Sequence, residues 1–307
     1  MYKRRIKVLI AFFSLMVIIM IAMLCYLIIN NGVSLGTSTI QKEAKESVGN
    51  YSNINLDFTS ADIKIYSTDD NQLKVVEKSS SKLTEQEKFV VLKEGNSLDI
   101  KDGDKENVSH HSFINIFNLS FGKSIEVYIP KSYSKDLTIN STSGSIRFEE
   151  AMVLYNLKCY HTSGSFKAVD KITANEFYID ASSGSIELQA LECKKYDIKV
   201  TSGEIKLGKL SGSGDVKSSS GSIDVDYKSI DEYSNVEATS GSIKLNLSQE
   251  INFDFQGQCT SGSINGNIDM NFQGYRKNKA EAKVGNSPYK NLRASTSSGS
   301  IRIDLDK

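Results

Sequence analysis

One tetrapeptide returns throughout the second half of the chain, and it limits the possible folds more than any other feature. It reads Thr142-Ser143-Gly144-Ser145, Thr162-Ser163-Gly164-Ser165 and Ser182-Ser183-Gly184-Ser185, with variants around Gly203, Gly221, Gly241, Gly262 and Gly299. Successive glycines stand 20, 20, 19, 18, 20, 21 and 37 residues apart. A period near twenty is the mark of a solenoid, in which each repeat forms one coil stacked on the last.

The flanks define the coil. Before the glycines, apolar residues alternate with polar ones, as in Leu137 and Ile139, Leu157 and Cys159, Phe177 and Ile179, Tyr196 and Ile198. After them come Ile146 and Phe148, Phe166 and Ala168, Ile186 and Leu188, Ile205 and Leu207. Period-2 alternation on both sides predicts two strands, each with one buried face. The inward set is odd-numbered before the glycine and even-numbered after it, counting from the glycine, so the chain turns a corner at Ser-Gly. Stacked coils pair equivalent strands in parallel, about 4.8 Å apart. The expected fold is all-β, a parallel β-solenoid with coils of about twenty residues. Its eight corner glycines are Gly144, Gly164, Gly184, Gly203, Gly221, Gly241, Gly262 and Gly299.

The outward position three residues past the corner carries Lys167, Glu187, Lys206, Asp224 and Lys244 in successive coils. Alternating sign places opposite charges on neighbouring strands, where each pair contributes roughly 0.2–1 kcal/mol and opposes a register slip.

The N-terminus predicts a compartment. Val8 to Ile29 is a 22-residue stretch without charge, long enough to cross a bilayer, preceded by Lys3, Arg4, Arg5 and Lys7. Positive charge on that side keeps residues 1–7 cytoplasmic and sends the body outside. Such an apolar run exceeds the usual cleaved signal, so residues 8–29 are expected to be an uncleaved transmembrane signal anchor. With those four cations set aside, acidic residues outnumber basic ones by four, which excludes nucleic-acid binding by bulk charge. Cys159 and Cys259 fall on inward positions five coils apart, roughly 24 Å, too far for a disulfide.

Residues 30–50 read as a polar stalk with a helical turn around Gln41–Val48. A disguised repeat follows, with Ile54, Leu56 and Phe58 before Thr59-Ser60-Ala61-Asp62 and Ile63 and Ile65 after it. Residues 51–136 then form an N-terminal cap that includes this first coil, with strands at Leu73–Glu77, Phe89–Leu92, Ser97–Lys101 and Ser124–Ile129. The apolar cluster Phe113–Phe121 is expected to complete the cap core, the alternative being an exposed patch for a lipid or a partner. The regular repeats occupy 137–307, interrupted by an insertion at Tyr275–Val284. Arg276, Lys277, Lys279 and Lys283 make this insertion the candidate binding loop.

Together, the Val-Tyr-Ile-Pro strand at Val127–Pro130, the Thr-Ser-Gly-Ser-Ile coils and the final Ser-Ser-Gly-Ser-Ile-Arg-Ile carry a family resemblance. The chain resembles the bacterial β-strand-repeat domain labelled "putative adhesin", over roughly residues 50–307. The resemblance implies a β-solenoid at the cell surface or in the envelope, with some members in envelope-stress systems, and it brings no catalytic residues.

Catalytic and metal signatures are absent from the sequence, including a nucleophile elbow, His-Glu-x-x-His, a phosphate loop and Cys-x-x-Cys. His110-His111 lacks accompanying ligands, and no metal or cofactor is expected. Carbohydrate cleavage would need clustered carboxylates, for which Asp215, Asp224, Asp226 and Glu237 are the nearest approach. Lys206 and Lys244 already flank Asp224 in the ladder. The reading is a non-enzymatic, membrane-anchored binding or scaffolding protein. Its partners are the bilayer, through the N-terminal helix, and a wall polymer or membrane protein; the alternative is a regulator of envelope stress.

Overall fold

The computed structural model describes Met16 and residues 38–103, 122–273 and 277–306. The Val8–Ile29 stretch apart from Met16, His110-His111, the Phe113–Phe121 cluster and Arg276 lie outside the described residues. Among those described, no helix is long and apolar enough to cross a membrane.

The strands run in three groups. The first comprises β1 (Thr39–Ser47), β2 (Asn53–Ser60), β3 (Asp62–Thr68), β4 (Gln72–Ser79), β5 (Val90–Glu94), β6 (Ser97–Lys101) and β7 (Ser124–Pro130). The second comprises β8 (Asp136–Ser143), β9 (Ile146–Phe148), β10 (Met152–Val153), β11 (Asn156–Ser163), β12 (Phe166–Ser183), β13 (Ile186–Ser202), β14 (Ile205–Ser220), β15 (Ile223–Ser240) and β16 (Ile243–Leu247). The third comprises β17 (Phe253–Ser261), β18 (Ile264–Gly266), β19 (Asn271–Gln273), β20 (Lys279–Val284), β21 (Lys290–Ser298) and β22 (Ile301–Leu305). All belong to one continuous sheet wound into a solenoid.

Each coil has three sides. In β12 the buried residues are Phe166 and Ala168, then Ile172 and Ala174, then Phe177, Ile179 and Ala181. The alternation slips by one at Asp170-Lys171 and at Asn175-Glu176, and breaks again at the Ser-Gly corner, so two outward residues in succession mark each bend. Like residues stack on like. Phe166 pairs with Ile146 and Ile186, and Ile205 with Ile186 and Ile223, so apolar columns run the length of the core.

The stacking order departs from chain order at the C-terminal end. Coils can be labelled by their corner residue. Ala61, Gly144, Gly164, Gly184, Gly203, Gly221 and Gly241 follow in sequence, but the next layer is the Gly299 coil, and the Gly262 coil lies beyond it. β21 pairs in parallel with β15 on one edge and β17 on the other, while β22 lies between β16 and β18. Cys159 and Cys259 are consequently six layers apart instead of five, and both are buried free thiols.

Antiparallel strands close both ends. At the N-terminal end β6 and β7 form a layer on β2 and β3, covered by β5 and β4, and β1 adds to β4. Thr39–Ser47 is thus a strand and not the expected helical turn of a stalk. Its Lys42, Glu43, Lys45 and Glu46 keep the outermost edge charged, which discourages pairing with another sheet. At the other end β20 runs antiparallel to β17 and β19 covers β20.

One layer is built differently inside. The inward position seven residues before the corner, held by Leu157 and Phe177 in earlier coils, is Gly214 and then Ser234 in the Gly221 and Gly241 coils. The Tyr196 ring lies over Gly214, where a Cβ would overlap it, and its hydroxyl donates to Ser234 Oγ at 2.8 Å. Tyr227 Oη stands 2.6 Å from the same Oγ. One large aromatic therefore spans the layer at the one inward position where Gly214 leaves no side chain.

Candidate binding face

All eight corner glycines stand in one column, each with positive φ between 110° and 157°. Ala61 tops the column without positive φ. Beside the column run the hydroxyls two residues before each corner, including Thr162, Ser182, Thr201, Ser219 and Thr239, all exposed. His161, at an inward position next to the corner, is 4% exposed and has Nε2 2.8 Å from the Gly144 carbonyl oxygen. It acts as a corner brace.

The side leading into the corner presents two outward columns. Four residues before the corner stand Tyr160, Asp180, Lys199, Lys217 and Glu237, then Ser295 and Gln258 in the spatial order of the layers. Six residues before it stand Lys158, Tyr178, Asp197, Asp215 and Asn235, then Arg293 and Gln256. Between the columns and the hydroxyl strip the surface is hollowed. One hollow of about 650 Å³ extends from Asp180 to Gln258, and a second of about 420 Å³ continues past Arg293 to Lys279 on β20. They share Glu237, Gln258 and Ser295 and form one shallow polar groove across the last layers.

An aromatic shelf stands at the groove's N-terminal end. Tyr160 and Tyr178 lie with ring centroids 5.3 Å apart at 48°, and Lys199 Nζ sits 5.5 Å from the Tyr178 centroid. Burial and the adjacent Asp180 carboxylate, which accepts the phenol's hydrogen bond at 3.2 Å, push the Tyr178 pKa up. The ring therefore stays neutral. Lys199 donates to Asp197 at 2.7 Å, and that bond raises its pKa, so the cation persists. Lys217 and Glu237 are 3.8 Å apart. Chemically the face offers amide and hydroxyl donors and acceptors, a few internally compensated charges and two phenol rings.

The structure distributes the residues of the expected basic loop. Lys279 and Lys283 are on strand β20, which closes the stack, and Lys277 precedes it by two residues with φ 52°. Lys283 ion-pairs with Asp254 at 3.4 Å and lies over Tyr289, while Lys277 lies over Phe272. Of these three, Lys279 alone lines the groove. Asp254, Asp269 and Glu281 share a neighbouring hollow with Lys283, which makes the surface mixed in charge.

The four carboxylates considered for glycoside cleavage are divided between two sides of the coil. Asp224 and Asp226 follow the corner and accept from Asn246, and Asp224 also pairs with Lys244 at 3.4 Å. Asp215, before the corner, accepts from Asn235 at 3.1 Å. Among the described residues no cluster of His, Cys, Asp and Glu could hold a metal ion.

Residues 51–304 match the family model described as Toastrack DUF4097. The chain belongs to that family. Toastrack membership agrees with the adhesin-labelled resemblance carried by the Thr-Ser-Gly-Ser-Ile coils. Similar solved structures include a "putative adhesin" from Bacteroides fragilis, 12% identical with a TM-score of 0.49, covering 88% of this chain and 98% of that one. A "putative lipid binding protein" from Parabacteroides distasonis is 17% identical with a TM-score of 0.47, covering 89% and 98%. A "putative adhesin" from Parabacteroides merdae is 9% identical with a TM-score of 0.42, covering 89% and 97%. No curated protein matches the sequence.

The groove was missed at the sequence level, although its columns were countable there. The signal was the pairing of Tyr160 with Tyr178, one coil on and two residues nearer the strand's start.

Proposed function

We propose that this chain is a non-catalytic, membrane-anchored β-solenoid that displays its body outside the cytoplasm and binds a surface polymer along the groove side. The observation that carries this reading is the continuous groove, with its hydroxyl and amide lining and its Tyr160–Tyr178 shelf. Polyhydroxylated chains suit such a surface, because phenol faces cover sugar C–H faces while amides and hydroxyls exchange hydrogen bonds with sugar hydroxyls. The uncharged Val8–Ile29 run and its N-terminal cations support anchoring in the bilayer, with residues 1–7 in the cytoplasm. The carboxylates are paired with neighbouring-coil partners, which supports binding over catalysis.

The test uses detergent-solubilised full-length protein and insoluble wall polysaccharide, with anionic lipid vesicles as the comparison. Tyr178→Ala with Gln258→Ala should abolish retention on polysaccharide, while Lys277→Ala with Lys283→Ala leaves it unchanged. Retention by both variants, or binding to vesicles alone, would sink the groove as the site.

A further inference from the structure

The Gly299 coil sits where its place in the chain does not put it. Coils Gly241 and Gly262 are 21 residues apart, the spacing of directly stacked neighbours, yet a full layer separates them. That layer is the last segment of the chain. In it Ala294 pairs with Val236 on one side and Gly257 on the other, Ser298 with Ser240 and Ser261, and Ile301 with Ile243 and Ile264. Thr296 donates to the Gly241 carbonyl at 3.0 Å. Asn267 closes the far end, donating to Asp304 at 3.1 Å and accepting from the Leu305 amide at 2.7 Å. Take the segment away and two parallel edges face each other across a slot one strand wide.

The slot selects for the repeat itself. Its walls require small or branched inward residues, supplied by Leu292, Ala294, Ile301 and Ile303, and a glycine at the corner. At Gly299 a Cβ would overlap the Gly241 carbonyl. Every copy of this chain carries a segment that meets these conditions, and among the described residues one connection leads to it from the body. That connection is Gly285–Tyr289, exposed from Gly285 to Pro288, which passes round Asn252 from the outer side of β17 to its inner side. Asn252 holds it, accepting from Asn286 N on Oδ1 and from Lys290 N on its carbonyl, each at 2.9 Å.

We propose that this slot also accepts β21–β22 from a second copy of the chain, joining two molecules by exchange of their last coil. The exchanged pair keeps every ladder hydrogen bond of the monomer, and only the crossover differs. Which form prevails is therefore set by the reach of Gly285–Tyr289 and by local concentration. The slot lies ten ladder spacings from β1, roughly 48 Å at about 4.8 Å per layer. Exchange thus links molecules through the ends remote from β1.

Two experiments on the full chain decide it. Deleting Asn286, Ser287 and Pro288 leaves a crossover too short to pass Asn252. The variant should become a dimer by light scattering, with a thermal midpoint near that of the monomer, and mixing two tagged forms during refolding should give heterodimers. A folded, monomeric deletion variant overturns the proposal. If that variant aggregates, the second experiment decides alone. A protease site is placed in Gly285–Tyr289, the folded protein is cut, and a labelled peptide of residues 289–307 is added in excess. Replacement of the bound segment at one peptide per molecule is expected, and a Gly299→Val peptide should bind about tenfold or more weakly. Failure of the labelled peptide to enter while the body stays folded overturns the proposal, as does equal entry of the Gly299→Val peptide.

Discussion

The backbone of Gly164 occupies the space that a side chain on Gly184 would need. A Cβ there would overlap the Gly164 carbonyl oxygen, and the Gly184 φ of 110° would itself be strained for any L residue. The corner thus requires glycine for two separate reasons, conformation and interlayer contact. Gly184→Ala should lower stability by about 2 kcal/mol or more, since the backbone strain alone costs about 1–3 kcal/mol. Gly49→Ala, with open space around its Cβ, should stay within about 0.5 kcal/mol. Denaturant midpoints of the two variants check the contrast.

The charge ladder yields a second expectation. Lys167 pairs with Glu187 at 2.7 Å, and Glu187 lies between Lys167 and Lys206 in register. Glu187→Lys replaces an attraction with two repulsions and should cost roughly 1 kcal/mol, small because the pair is exposed. The loss should shrink in high salt, where the Debye length falls to about 3 Å at 1 M. A salt-independent loss would mean that the ladder's charges are not what was disturbed.

In the N-terminal cap, Glu77 is fully buried and pairs with Lys123 at 2.7 Å, and it accepts the Phe89 amide at 3.1 Å. Lys123 also reaches Asp102 at 2.7 Å. Burial lowers the Lys123 pKa, but its two carboxylate partners outweigh burial and leave it raised. Lys123→Met strands a buried carboxylate and should destabilise by about 3–5 kcal/mol. Adding Glu77→Gln should recover part of that loss, measured as a double-mutant cycle on the unfolding free energy.

The cap should also loosen in alkali. Burial and then the hydrogen bond to Glu126 push Tyr128 up to about 12. An unfolded tyrosine titrates near 10, so Tyr128 contributes stability that is fully present below about pH 10. This contribution is lost as pH rises through the folded value. Glu126 behaves oppositely. Burial would raise it, but hydrogen bonds from Lys78 at 2.5 Å and Tyr128 at 3.0 Å hold it low. Its contribution is present above about pH 4.3 and lost in acid. Tyrosinate absorbance and thermal midpoints for wild type and Tyr128→Phe should diverge between about pH 10 and 12.

Thiol chemistry gives a further check. Cys159, Cys193 and Cys259 are buried, and burial pushes Cys193 up to about 12 and raises the other two. None should react with an alkylating reagent at neutral pH until the solenoid opens. Mass spectrometry that locates fast labelling at Cys159 in native protein would contradict the packed core.

The coils, corner and charge ladder were legible because each obeys a local rule. Alternation placed Ile186 and Leu188 inside, and the slip of parity located the turn at Gly184. The stacking order was not legible. Ile243, Ile264 and Ile301 carry the same signature after their corners, and one parallel edge reads like another, so only long-range closure sets the layer sequence. Strand β1 was hidden for a different reason. Thr39–Ser47 pairs on one edge only and has no fully buried face, so its sequence lacks the apolar alternation that reveals a strand. The Tyr196–Ser234 contact was hidden too, since Gly214 marks it by lacking a side chain. Of the candidate site, the corner column was visible, whereas the groove depends on how successive layers curve. The charges of β20 could be counted in the sequence, but their dispersal among Asp254 and Glu281 could not.

Because each interior layer offers the next an equivalent pair of parallel edges, the body behaves as a ruler graduated in whole coils. Removing the segment from Gly164 to Ser183 would bring the Gly144 and Gly184 coils into contact with the same corner, inward columns and spacing. Neither end closure would register the change. Length can therefore vary in steps of about 4.8 Å without redesign of the ends. A lineage could set the reach of its surface by duplicating or deleting twenty-residue units.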